Sequence, residues 1–209
     1  MTSSLWPWAA LVLLGAYHGV NPGMGWLFAV GRGLQEKSRR AVLGSLLPIA
    51  IGHEASIVMV VIAVSLTDQI VPPYVVRLLA ALVLVSVGLY KLARPRSHVK
   101  GFGMRVGPAG LAAWSFLMSS AHGAGLMLAP VLLGLPVYAT YHSLSEISLQ
   151  AVAAASLHVT AMLIVMGIVS VVVYEKVGLG FLRHGWFNLD LGWSFVLIAS
   201  GVVTLFTAV

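Results

Sequence analysis

Long uncharged stretches dominate this chain and alternate with short segments that carry nearly all of the charge. Residues 1–31, 106–145, 147–174 and 191–209 contain no Asp, Glu, Lys or Arg, and residues 41–67 contain only Glu54. A helix needs about 20 apolar residues to cross the hydrocarbon core of a bilayer. The pattern predicts an all-α integral membrane protein with six transmembrane helices. We expect these near residues 5–30, 41–66, 74–92, 107–135, 144–174 and 189–208.

The composition excludes a soluble domain of any size. Of the 209 residues, 59% are hydrophobic and 9% are charged, whereas about 25% of an average soluble domain is charged. The chain has no cysteine, which rules out disulfides and thiolate metal sites. It also contains no phosphate-binding loop, no Gly-x-Ser-x-Gly elbow and no His-x-x-x-His zinc spacing.

The basic residues predict how the helices are oriented. They concentrate in the segments after predicted helices 1, 3 and 5: Arg32, Lys37, Arg39, Arg40, Lys91, Arg94, Arg96, Lys100, Arg105, Lys176 and Arg183. Positively charged loops stay in the cytoplasm, so we expect a multi-pass protein of the inner (plasma) membrane with both termini outside. The net charge of +6 is then explained by topology and by anionic lipid rather than by nucleic acid.

Aromatic residues near the predicted helix ends fit interfacial anchors. They are Trp6, Trp8, Tyr74, Tyr138, Tyr141, Trp186 and Trp193.

A weak internal repeat divides the chain into two halves. Gly follows His18 in predicted helix 1 and His122 in predicted helix 4, while His53 and His158 lie in predicted helices 2 and 5. The histidines are 35 residues apart in the first pair and 36 in the second. Three helices per half is an odd number, so the second half must enter the membrane from the opposite side.

We therefore expect two inverted three-helix repeats, a plan common in secondary transporters. The first repeat covers residues 1–92 and the second covers 107–209, with 93–106 as a basic cytoplasmic linker.

The four histidines of the repeat lie near the middle of their predicted spans. Neutral imidazole is the commonest protein ligand for transition metals. His18, His53, His122 and His158 therefore predict a midmembrane site for nickel, cobalt, copper or zinc. The remaining histidines, His98, His142 and His184, fall in predicted loops.

Residues next to His18 predict an interrupted helix. Pro22 cannot donate to the carbonyl of His18, Gly23 adds flexibility, and Asn21 can share a face with His18. Interrupted helices of this kind form substrate and gating regions in transporters. The alternative is that Gly and Pro serve close helix packing.

Glu54 is the only acid predicted deep in the membrane. An ionised carboxylate there is costly unless it pairs, titrates or faces a cavity. Glu54 is predicted to be a metal ligand, a partner that orients an imidazole, or a proton carrier; the alternative is a neutral acid hydrogen-bonded to a neighbouring helix.

Two methionines share helix faces with the histidines. Met118 precedes His122 by four positions and Met162 follows His158 by four. Thioethers favour softer ions, whereas apolar packing is the alternative role for both.

Two short motifs resemble a known family. Residues 17–22 (YHGVNP) and 52–56 (GHEAS), in two inverted halves, are similar to the LysE superfamily, and within it to nickel/cobalt permeases of the NicO type and HupE/UreJ proteins. In this chain Asn21 stands near the place of that family's first-helix acid, and Glu54 stands where a small hydroxyl residue is expected. The resemblance implies transport of a transition-metal cation.

The sequence thus favours a permease or secondary transporter, acting alone, as a homo-oligomer or with an accessory subunit. Three alternatives stay open at this point. Two pairs of histidines can hold b-type haem in an electron-transfer protein. Glu54 can act as a base on metal-bound water in an intramembrane enzyme. A LysE-like exporter of a small solute needs no bound metal.

Overall fold

The computed structural model describes residues 5–68, 70–94, 106–133, 144–178 and 189–208, and the regular structure within them is helical. The helices, in chain order, are α1 Trp6–Val20, α2 Trp26–Glu36, α3 Arg39–Asp68, α4 Pro73–Ala93, α5 Pro108–His122, α6 Ala124–Leu133, α7 Leu144–Val172 and α8 Leu189–Ala208. A 3₁₀ turn, Pro22–Met24, separates α1 from α2, and a π-helical turn, Val173–Val177, continues α7.

Three helical stretches are long and apolar enough to cross a membrane: Arg39–Val64, Tyr74–Ala93 and Val152–Val177. Leu191–Phe206 is a shorter apolar helix. Large side chains such as Leu47, Ile62 and Phe206 point outward and are exposed, and contact with lipid would remove them from water. The described helices are therefore compatible with a membrane protein.

Several helix ends differ from the predicted ones. The first predicted helix is two helices, and the second of them runs to Glu36, so that Arg32 lies within a helix and pairs with Glu36 at 2.7 Å. Arg39 and Arg40 form the first turn of α3 rather than part of a loop. The reason is that charged side chains at a helix end reach water while the backbone keeps its hydrogen bonds.

Several predicted features lie outside the described residues. These are most of the linker 93–106, the segments 134–143 and 179–188, and with them His98, His142 and His184.

The break after α1 is built by Asn21, Pro22 and Gly25. The backbone N–H of Asn21 donates to the carbonyl of His18 at 3.1 Å, and its side-chain oxygen accepts from the N–H of Gly23 at 2.9 Å. Gly25 has a φ of 122°, which costs little only without a Cβ. The predicted interruption of this helix is confirmed.

A second break separates α5 from α6. α5 ends at His122, and Gly123 follows in the left-handed conformation with a φ of 70°. Glycine favours this termination because a Cβ would clash with the backbone. The predicted helix 107–135 is therefore also two pieces, and in both broken helices a histidine lies just before the break.

The long helices pack in three pairs: α1 along α7, α3 along α5, and α4 along α8. The larger apolar core lies where α1, α2, α3 and α7 meet, and its fully buried members include Leu11, Ile49, Ile57, Met162 and Met166. A smaller cluster, formed by Leu84, Met127, Trp193 and Leu197, joins α8 to α4 and α6. The two clusters flank the histidines described next.

Candidate metal centre

Three helices deliver one histidine each to the same buried point. His18 of α1, His53 of α3 and His158 of α7 are fully buried, and one ring nitrogen from each lies within 4.8 Å of the others. The ring centroids of His18 lie 5.1 Å from His53 and 4.9 Å from His158, and those of His53 and His158 are 5.8 Å apart. We call these three residues the three-histidine cluster.

Backbone carbonyls orient two of the three rings. Nδ1 of His18 lies 3.0 Å from the carbonyl of Leu14, and Nδ1 of His158 lies 3.1 Å from the carbonyl of Leu11. A carbonyl only accepts, so each Nδ1 must carry the proton and donate. The lone pair is then on Nε2, and Nε2 of both rings has no hydrogen-bond partner. A histidine that ligates a metal commonly donates its other nitrogen in this manner.

His53 is unsatisfied at both ring nitrogens. A buried polar group without a partner costs about 1–3 kcal/mol, so a packing role does not account for this ring. A cation between the rings would accept the lone pairs of all three. Zinc–nitrogen bonds of about 2.0–2.1 Å put tetrahedral ligands about 3.3 Å apart, so the rings need only turn inward to bind. Among the residues that the structure describes, the donor set is imidazole alone, which suits zinc, copper, nickel and related ions.

His122 is not a member of the three-histidine cluster. Its Nδ1 contacts the carbonyl of Met118 at 2.8 Å, four residues earlier, as that of His18 contacts the carbonyl of Leu14. The carbonyl of His122 accepts from Nε1 of Trp193 at 2.7 Å. The ring of Trp193 lies 4.4 Å from that of His18 and 6.4 Å from that of His122. Of the four histidines predicted to converge, the structure therefore brings three together.

Trp193 is the residue near the site that the sequence did not reveal. Its position near a helix end predicted an interfacial anchor, and that prediction is wrong, because the side chain is fully buried. It stacks on Tyr17 with ring centroids 5.5 Å apart and packs against His18. The packing of α8 against α4 turns Trp193 inward, and no periodicity in the sequence reports that rotation.

Glu54 lies apart from the three-histidine cluster. Neighbouring helix positions differ by about 100° around the axis, so the carboxylate of Glu54 diverges from His53. It lines an open cleft of about 490 Å³ between α3 and α7, with Ala50, Ser156 and Val159 among its neighbours. The side chain is half-buried and its Oε2 has no partner. This placement fits a group that acts beside the cluster better than a ligand of it.

The predicted gating residues surround the break. Asn21 is buried, and its Nδ2 has no partner. Pro22 starts the 3₁₀ turn, and a Cβ on Gly23 would lie 3.9 Å from Cε of Met118. Met162 is fully buried in the larger apolar core, which agrees with the packing alternative for this residue.

The fold and the site together define a class: an all-helical protein, with helices compatible with a membrane, that buries a three-imidazole cluster. No protein family, curated protein or solved structure matches the chain. The functional assignment therefore depends on the geometry of these residues.

Proposed function

We propose that this protein is a membrane permease that moves a transition-metal cation through the three-histidine cluster. The observation that carries the proposal is the arrangement of His18, His53 and His158. The three rings are buried, one nitrogen of each lies within 4.8 Å of the others, and each ring has an unpartnered nitrogen. Buried polar groups without a partner are few in native proteins, and a bound ion or an ordered water is one explanation for them. Three neutral imidazoles replace the water around a cation and leave its fourth position for a mobile ligand.

The inverted-repeat plan is supported by the packing of the helices. In the two repeats, α1 corresponds to α5, α3 to α7 and α4 to α8. Exchanging the halves therefore turns the α1–α7 pair into the α5–α3 pair and leaves the α4–α8 pair unchanged. Among the described helices, these are the three pairs with the most extensive contact. In addition, His18 and His122 each contact the carbonyl four residues earlier through Nδ1. Such repeats place substrate between halves that can rock against each other.

A topology of six spans with the basic segments in the cytoplasm is part of the proposal. Arg39 at the start of α3 contacts Glu175 after α7 at 3.2 Å, so the segments that follow the first and fifth predicted spans share one end of the molecule. An even number of crossings between them accounts for this proximity. The positive-inside rule then assigns that end to the cytoplasm and both termini to the outside.

Glu54 supplies the negative charge that neutral imidazoles lack. In this proposal its carboxylate takes up or releases a proton in the cleft between α3 and α7 as the cation passes, because an ionised acid is costly in the membrane without a nearby positive charge. The energy for transport comes from an ion gradient or from a separate subunit. A distant relationship to the LysE superfamily would fit this mode of action.

The geometry does not favour the haem alternative. The three rings contact one another directly, with His18 edge-on to both His53 and His158. A haem needs an apolar slot between two axial ligands, and packed imidazoles leave none between these rings.

The proposal is tested by measuring uptake of nickel, cobalt and zinc into proteoliposomes, together with the metal content of the purified protein. We expect His18→Ala and His53→Ala to lose both uptake and bound metal. The matched control is Ser170→Ala, since Ser170 is equally buried but donates to the carbonyl of Met166 at 2.6 Å. Equal uptake by wild type and the histidine variants would refute the proposal.

A further inference from the structure

One face of α5 carries two hydroxyls into the interior. Leu111, Ser115, Ser119 and His122 follow one another at helical spacing and are all buried. The hydroxyls of Ser115 and Ser119 have no hydrogen-bond partner.

A hydroxyl without a partner is unusual for a buried serine in a helix, because the hydroxyl can donate to the backbone carbonyl one turn back. Ser45 and Ser170 do so, at 2.7 and 2.6 Å. Two buried hydroxyls that forgo that bond are available to water or to a cation. The unpartnered Nδ2 of Asn21 adds a third polar group, since the 3₁₀ turn that follows Asn21 packs against α5.

The two serines lie on the stretch of α5 that packs along α3 around His53, since a Cβ on Gly52 would meet the carbonyl of Ala112 and the hydroxyls of Ser56 and Ser120 are 2.9 Å apart. Ser119 lies about 6 Å further along the α5 axis than Ser115, and His122 lies about 4.5 Å beyond that. Trp193 then connects His122 to the cluster, because its indole donates to the carbonyl of His122 and its ring packs against His18. In the other direction, toward the start of α5, Leu111 is buried one helical turn before Ser115.

The equivalent face of α1 is closed. With His18 aligned to His122, Gly15 takes the place of Ser119 and Leu11 takes the place of Ser115. A Cβ on Gly15 would clash with the backbone carbonyl of His158, so α7 already fills that space. Leu11 is fully buried in apolar surroundings. Buried hydroxyls without a partner therefore lie on this face of α5, whereas the equivalent positions of α1 offer none.

We propose that water and the cation reach the three-histidine cluster along α5 through a hydroxyl subsite formed by Ser115 and Ser119, with Leu111 as its closure. This inference rests on the proposed function for the identity of the cation, but not for the presence of water. The subsite would take a partly hydrated cation, because hydroxyl oxygens replace water ligands at little cost in hydrogen bonding.

The test uses the absence of cysteine from the chain. Ser115→Cys and Ser119→Cys each introduce a single thiol, which reacts with a hydrophilic methanethiosulfonate reagent only where water lets it ionise. Ser170→Cys is the matched control, and membrane vesicles of both orientations identify the side of access. We expect Ser115→Cys and Ser119→Cys to react about tenfold faster than Ser170→Cys, from the side of the α4–α5 connection. Rates no faster than that of Ser170→Cys would overturn the proposal.

A second variant tests the closure. Adding Leu111→Ala to Ser119→Cys should raise the labelling rate severalfold, and an unchanged rate would remove Leu111 from the proposal. The labelling does not depend on metal binding. If His53→Ala keeps its metal while Ser119→Cys is labelled, the proposed transport site is refuted and the water route is supported. If His53→Ala loses its metal while Ser119→Cys is not labelled, only the water route is refuted.

Discussion

Replacing His53 by alanine separates a metal ligand from a packing residue. The side chain of His53 is fully buried and makes no hydrogen bond through either ring nitrogen. Its removal therefore breaks no hydrogen bond within the protein, although it removes the ring contacts with His18 and His158. If the ring is a ligand, His53→Ala loses metal affinity but loses no hydrogen bond that stabilises the fold.

The expected loss of affinity follows from the number of ligands. Structural zinc sites contribute about 10–16 kcal/mol through four ligands, or about 2.5–4 kcal/mol for each. At 1.4 kcal/mol for a factor of ten, removal of His53 should weaken binding about 60-fold to 700-fold, and we take a loss of about a hundredfold. At a metal concentration 100 times the dissociation constant of wild type, bound metal stabilises the protein by about 2.7 kcal/mol. The same concentration would stabilise His53→Ala by only about 0.4 kcal/mol.

The assay is thermal unfolding of the protein in detergent, with and without added metal. For a chain of this size, 1 kcal/mol corresponds to about 2–4 °C in Tm. Wild type should gain about 5–11 °C on metal addition, and His53→Ala about 1–2 °C. Elemental analysis of the same samples reports the bound metal directly.

His158→Ala is the matched comparison. It removes a ligand of the same kind and also the hydrogen bond from Nδ1 to the carbonyl of Leu11, which joins α7 to α1. Without metal, His158→Ala should therefore melt below His53→Ala, by the value of one such bond, about 0.5–1.5 kcal/mol. A metal-induced gain in Tm that is the same in wild type and His53→Ala would refute the ligand role.

Three further predictions concern residues around the cluster. Gly15→Ala should lower Tm by several degrees, because the added Cβ would meet the carbonyl of His158. Gly44 faces open space, so Gly44→Ala should be neutral or slightly stabilising. Equal Tm values for the two variants would contradict the close packing of α1 on α7. Trp193→Phe keeps an aromatic ring, though a smaller one, and loses the indole donor to the carbonyl of His122. Stability should fall by at least about 1 kcal/mol in denaturant unfolding. An unchanged midpoint would show that this bond contributes nothing. Glu54→Gln should keep bound metal but abolish the dependence of uptake on a pH gradient; loss of metal from this variant would instead make Glu54 a ligand.

The sequence alone was enough to predict the helices and the break next to His18. Long runs without charge can satisfy their backbone only as helices when lipid surrounds them, and Pro22 cannot continue the hydrogen-bond ladder. The observed α3, α4 and α8 differ from the predicted spans by at most two residues at either end. Helix ends were less predictable, because Arg32 and Arg39 can extend a helix into water.

Only the tertiary structure decided which histidines share a site. Depth along each helix can be read from residue spacing, but the direction of a side chain depends on how each helix is rotated about its axis. That rotation is set by close contacts such as Gly15 against α7. His122 lies at a suitable depth and is buried, yet it stays outside the three-histidine cluster, whereas Trp193 turns inward. Such contacts join residues far apart in the chain, so no local pattern reports them.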